Sequence, residues 1–362
     1  MTMADAPGRI GYIDAMRGFT MVLVVFFHAL LFMHPDAADS SPVSSVLMSF
    51  RMPLFFFVSG FFAYRAADRW TSEVTADIMV RKIRAQILCA TVFFMLYQYV
   101  WGLDPWAFVH TGYNYFWFTI GLFQMFALYV ALNLVSQLTR RDITVPALVA
   151  LSAAAALSGL VTFGPGVGQV LAWHKVVQYF PYFAAGILAR RYRAAVAQLL
   201  DDDRFRTCVI VLFVSGCFWF YHDSYSEPAS LPQYLLQGLT HRMAGLFTVL
   251  IFFHSRASWF EGGGRMARAL RFTGTRTLDV YMTHMFFIPH LAGLHLLGDL
   301  QLPSMSVFKL GFALSVAVAI VALCLLCGAV LRSSHFLSVW LFGVRRRRES
   351  TAQRRTSAAQ GV

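Results

Sequence analysis

The stretch MRGFTMVLVVFFHALLF, residues 16–32, has the apolarity of a bilayer-crossing helix, yet Arg17 stands at one end and His28 eleven residues on. A helix needs about 20 predominantly apolar residues to cross the hydrocarbon core. An ionisable group at that depth costs roughly 3 kcal/mol or more unless paired or hydrated, so its presence is a functional signal. Eleven residues of α-helix are about three turns, or ~16 Å, so both side chains leave the same face. No small-residue cleavage site follows the run, which makes it a retained span and not a removed leader. With that reading, the chain becomes a polytopic membrane protein.

The rest of the sequence agrees. Of 362 residues, 58% are hydrophobic, 16% aromatic and 13% charged, against about 25% charged in a soluble domain. Ten apolar segments are read as spans, at 14–34, 45–64, 83–101, 114–138, 143–162, 170–189, 207–222, 233–254, 276–296 and 306–331. Loops 35–44, 102–113, 163–169, 223–232 and 297–305 hold no Lys or Arg, whereas loops 65–82, 139–142, 190–206 and 255–275 and the C-terminal tail do. Such alternation predicts an all-α protein with ten transmembrane helices and both termini cytoplasmic. It also divides the chain into a transmembrane domain over 1–344 and a basic, disordered tail over 345–362.

The net charge of +12 follows this orientation pattern and not a nucleic-acid-binding face, so no nucleic acid is expected as a partner. Cys324 and Cys327 form a CxxC inside VALCLLCGAV. No second ligand pair accompanies them, so they read as buried small hydrophobes and no metal is expected. The run EGGGR (261–265) lacks both a preceding strand and a GK[ST], and reads as a turn. With no extramembrane domain, any chemistry belongs inside the bundle.

Depth along the spans sorts the polar residues. Arg51, His241 and Arg242 fall at a depth similar to His28 and are candidates to converge with it. At the cytoplasmic rim, Arg17 is joined by Arg81, Lys82 and Arg84 of RKIR. Arg81 and Arg84, three apart, share a helix face, and paired guanidiniums suit bidentate phosphate binding. The same cations serve equally as anchors for lipid headgroups. A ligand with phosphates at one end and an extended reactive arm of ~15 Å matches the two depths, and coenzyme A has that shape. The aromatic loops WGLDPWAFVHTGYNY (101–115) and FYHDSYSE (220–227) read as an acceptor lining or as an interfacial belt.

The R-x10-H spacing, followed by SFRMPLFFFVSGFF (49–62), RKIR (81–84), YFWFTIGLFQMFALY (115–129), QYFPYFAAGILARR (178–191) and TGTRTLDVYMTH (273–284), resembles the acyltransferase-3 family of integral membrane acyltransferases. FRMPLFFFVSG is most similar to the fucose 4-O-acetylase-like and glucan acyltransferase branch. The resemblance covers residues 11 to about 330. Arg51 stands where that branch often has His, and no SGNH-type hydrolase domain is fused.

This resemblance implies transfer of an acetyl group from acetyl-CoA to a hydroxyl of an extracytoplasmic or lipid-linked glycan, in the inner membrane of a bacterium. It implies that His28 and Arg17 are catalytic and that Arg81 and Arg84 hold the CoA phosphates; by their positions in the sequence, Arg51 joins the catalytic candidates and Lys82 the phosphate-binding ones. Ser59, His241, Arg242, Tyr281 and His284 stand as candidates for contacting substrate or the oxyanion. Transfer of succinyl or another acyl group remains open, as does a secondary transporter. A transporter should show broken helices in matched halves; Pro53 and Pro289 are not such a pair.

Overall fold

The computed structural model describes residues 10–33, 42–65, 70–158, 171–219, 232, 234–292 and 307–343. Every element among them is helical, with no strand. Besides the short helical turns Phe108–Thr111, Asn114–Phe116 and Ala257–Glu261, in chain order they are α1 (Gly11–Met33), α2 (Pro42–Ala63), α3 (Ser72–Lys82), α4 (Cys89–Val100), α5 (Trp117–Thr139), α6 (Thr144–Leu157) and α7 (Trp173–Arg191). There follow α8 (Arg193–Asp201), α9 (Asp203–Trp219), α10 (Arg242–Ser255), α11 (Arg265–Thr275), α12 (Thr277–Ala292), α13 (Val307–Ser333) and α14 (His335–Trp340). Two wide π-helical stretches, Ile83–Leu88 and Tyr234–His241, lead into α4 and α10.

Among the described residues, four helices have the length and apolarity to cross a membrane: Gly11–Met33, Val46–Ala63, Asn114–Thr139 and Val307–Ser333. Helices also stand at the other six expected spans, but they are shorter or more polar. α4 has 12 residues because the π stretch takes the preceding turns. α7 ends in Arg190 and Arg191. Three segments read from sequence as cytoplasmic loop contain helix as well: α3, α8 and α11. α3 starts at an N-cap, where Thr71 Oγ1 accepts from the Val74 amide. The expected tail, 345–362, lies outside the described residues.

α1 sits at the centre and packs against α2, α10, α11, α12 and α13. Small residues set how closely it approaches. A Cβ on Gly18 would overlap the Leu270 carbonyl of α11, and one on Gly274 would overlap the Asp14 carbonyl of α1. The crossing of α2 and α7 uses the same device, with Gly60 against the Phe183 carbonyl and Gly186 against the Phe57 carbonyl. Small residues at helix crossings let backbones touch where lipid provides no hydrophobic drive. Phe56, Phe57, Tyr182 and Phe183 are fully buried around this crossing.

One buried charge is matched across two helices. Asp279 of α12 is fully buried and accepts from Arg332 of α13, Nε to Oδ2 at 2.8 Å, with Arg276 Nη1 at 3.6 Å. Arg332 also stacks on Phe342, 4.2 Å from the ring centre.

Candidate active site

Two cavities meet inside the bundle. One, of about 550 Å³, is lined by His28 and Arg51, by Trp117, Tyr179, Tyr115 and Phe27, and by Lys175. The other, of about 440 Å³, is lined by Arg17, Arg65, Arg81 and Lys82, with Ser59, Gln86 and Thr277. No Asp or Glu lines either one among the described residues. Phe55, Phe118 and Tyr281 line both, so they form the wall between a histidine chamber and a cationic chamber. Phe118 meets Phe55 and Tyr281 edge-on, each with ring centres 5.4 Å apart.

α1 serves both chambers. Arg17 Nη2 donates to Thr277 Oγ1 at 2.9 Å, and its guanidinium lies 5.1 Å from the Phe62 ring centre. Three turns along the same face, His28 enters the histidine chamber. Its Nδ1 lies 3.2 Å from Nε2 of His284, which is fully buried on α12. His284 Nδ1 in turn lies 2.8 Å from the Tyr281 carbonyl and 3.1 Å from that of Val280. Both ring nitrogens of His284, a candidate for contacting substrate or the oxyanion, thus lie within hydrogen-bond distance of protein partners, one of them His28.

Arg51 reaches the histidine chamber from α2, its guanidinium 3.9 Å from the Phe27 ring centre and its Nη2 3.4 Å from Met48 Sδ. Tyr281 is a structural pin in the wall. Its hydroxyl donates to the Tyr115 carbonyl at 2.7 Å and accepts from the Phe118 amide at 3.2 Å.

In the cationic chamber, Arg81 is held by Asp77, with Nη2 to Oδ2 at 3.1 Å. Lys82 lies 4.9 Å from the Phe126 ring centre. Burial, with Arg17 and then Arg81 as like-charged neighbours, pushes Lys82 down to about 8. Gln86 is buried, and its Oε1 has no hydrogen-bond partner among the described residues.

Arg84 stacks on Trp340 of α14, 4.4 Å from the ring centre, and does not line the chamber. The shared face of Arg81 and Arg84 presumes 3.6 residues per turn, and the π stretch from Ile83 widens the turn and rotates Arg84 away. Ser59 lines the cationic chamber, across the wall from His28. His241 and Arg242 line neither chamber. His241 stacks on Phe213 at 5.3 Å, pressed against Gly216. The sequence did not specify their rotation about the helix.

Sequence reading passed over Arg65, Gln86, Lys175 and Thr277. Thr277 lay within a quoted motif and Arg65 in a cationic loop, but nothing local marked Lys175 or Gln86. Residues 220–227, read as one acceptor lining, lie outside the described residues; of 101–115, Asn114 and Tyr115 reach the histidine chamber. The five cysteines are unbridged, and no cluster of three or more His, Cys, Asp or Glu occurs among the described residues.

A family model described as an acyltransferase domain, acyltransferase-3, matches residues 10–326. No curated protein and no solved structure matches the chain.

Proposed function

The chain belongs to the acyltransferase-3 family and is a membrane acyltransferase; from that premise we propose that it transfers an acetyl group from acetyl-CoA to a hydroxyl of a glycan or lipid-linked sugar, with the donor entering from the cytoplasm. The observation that carries this reading is the pair of chambers sharing one aromatic wall, with four cations on one side and His28 on the other.

The donor's phosphates sit among Arg17, Arg65, Arg81 and Lys82, where guanidiniums bind phosphate oxygens bidentately. The Oε1 of Gln86, without a partner among the described residues, offers a contact for the amides of the pantetheine arm. The arm passes Phe55, Phe118 and Tyr281 and delivers the thioester to the histidine chamber. Aromatic side chains there (Trp117, Tyr179, Tyr115) suit the faces of a sugar ring. His28 takes the proton of the acceptor hydroxyl as its oxygen attacks the thioester carbon. The C–S bond breaks, and the thiolate recovers the proton from His28. Arg51 stabilises the oxyanion, a contribution of about 3–4 kcal/mol for a positioned donor.

The test is thiol release from acetyl-CoA by protein in lipid nanodiscs, with and without glycan acceptors, and mass spectrometry of the acceptor. Acceptor-dependent release with an acetyl increment supports the proposal. Release with succinyl-CoA only would shift the donor assignment, and no acyl transfer to any hydroxyl would reject it.

A further inference from the structure

We propose that His284 is a positioning residue that locks His28 in the Nδ1–H tautomer, leaving Nε2 bare as the proton acceptor in the histidine chamber. The inference rests on the acyl-transfer reading for its purpose but on hydrogen-bond geometry for its content. His284 Nδ1 lies within hydrogen-bond distance of two backbone carbonyls, of Tyr281 and Val280. Carbonyls only accept, so that nitrogen carries the proton. A neutral imidazole has one N–H, and His284 is fully buried, where an ionised ring is costly. Its Nε2 is therefore an acceptor. His28 Nδ1 lies 3.2 Å away and must be the donor. The remaining nitrogen of His28, Nε2, holds the free lone pair, on the ring edge turned away from His284.

Neighbouring groups hold the pair in register. His28 meets Tyr115 edge-on at 6.2 Å and Phe27 at 5.9 Å, while His284 lies 5.8 Å from the Tyr281 ring. Tyr281, three residues before His284, is pinned to the wall through its hydroxyl. The orientation of the base is thus tied to the aromatic partition.

During transfer, the acceptor O–H bond breaks and its proton moves to His28 Nε2 as the O–C bond forms. The imidazolium so created keeps its Nδ1–H bond to His284, which strengthens because its donor is now charged. When the C–S bond breaks, sulfur takes the proton from Nε2 and the resting tautomer returns. His284 supplies no net charge, unlike a carboxylate in the same position. The carbonyls of α12 orient it instead.

The experiment has two arms. In the first, 15N-histidine NMR of the unaltered protein in nanodiscs reads the tautomer, with the His28 signals identified by their loss in His28→Ala. The proposal expects a protonated Nδ1 and a bare Nε2. In the second, His284→Ala lowers kcat by about a hundredfold, the scale of a positioned proton-transfer group, with the acyl-donor KM unchanged. His284→Gln, whose amide oxygen can accept from His28 Nδ1–H, recovers kcat to within about tenfold of the unaltered protein. A proton on Nε2 of His28, or a His284→Ala kcat within about threefold of the unaltered enzyme, would overturn the proposal. Should the protein transfer no acyl group at all while the nitrogen shifts show the expected tautomer, the acyl-transfer reading fails and the tautomer lock stands.

Discussion

His28 and Lys82 are the residues whose chemistry the proposed reaction leans on most. Replacing His28 with Ala should lower kcat by at least about a hundredfold while the acyl-donor affinity stays within about twofold, as read by turnover and by isothermal titration. Direct transfer also predicts that labelled acetyl never accumulates on His28 in a single turnover. Trapping an acetyl-imidazole by rapid quench would replace the one-step route with a two-step one. Lys82, pushed down to about 8 by burial and two cationic neighbours, is charged below that pH and neutral above it. Only the charged form attracts phosphate, so donor affinity should fall as pH rises through 8. Lys82→Arg should flatten that profile at retained affinity, because a guanidinium stays charged. Arg81→Ala should weaken donor binding, and Arg84→Ala should leave it near the unaltered value, since Arg84 stacks on Trp340 outside the chamber. Equal losses in both would contradict the placement of the π stretch.

Among the helices, what holds the site is two close crossings and one buried ion pair. Gly186→Val would drive methyl groups into the Phe57 carbonyl and the Phe61 amide, neither of which can swing aside as a flexible side chain would. Overpacking of this kind costs about 1–3 kcal/mol, visible as a lower thermal midpoint in detergent. Asp279→Asn should cost about 3–5 kcal/mol by leaving Arg332 without its carboxylate, and a paired Asp279→Leu, Arg332→Met change should restore much of it. The elements also show where sequence reading stops. The spacing of Arg17 and His28 located both on one face of α1, because an apolar run fixes helix period. α3 and α11 were passed over because their apolar positions are sparse and interleaved with charges. The π stretch that begins between Arg81 and Arg84 leaves no mark in hydropathy. His284 entered only through the resemblance of TGTRTLDVYMTH. Its partnership with His28 joins α1 to α12 across most of the chain, and no local pattern encodes that contact.

Across the whole molecule, the central feature is a partition. Phe55, Phe118 and Tyr281 separate a cation-lined chamber from one holding a histidine, and the proposed donor threads between them. Phe118→Ala, which opens the wall, should raise acceptor-independent hydrolysis of acetyl-CoA, because exclusion of water from the thioester depends on that ring. The most direct measurement is a cryo-electron microscopy structure with a non-hydrolysable acetyl-CoA analogue. The account predicts the phosphates among Arg17, Arg81 and Lys82, the arm crossing the aromatic wall, and the acyl carbonyl in the chamber that His28 lines. Phosphates outside the cationic chamber, or an acyl group that stops short of the wall with His28 out of reach, would contradict it.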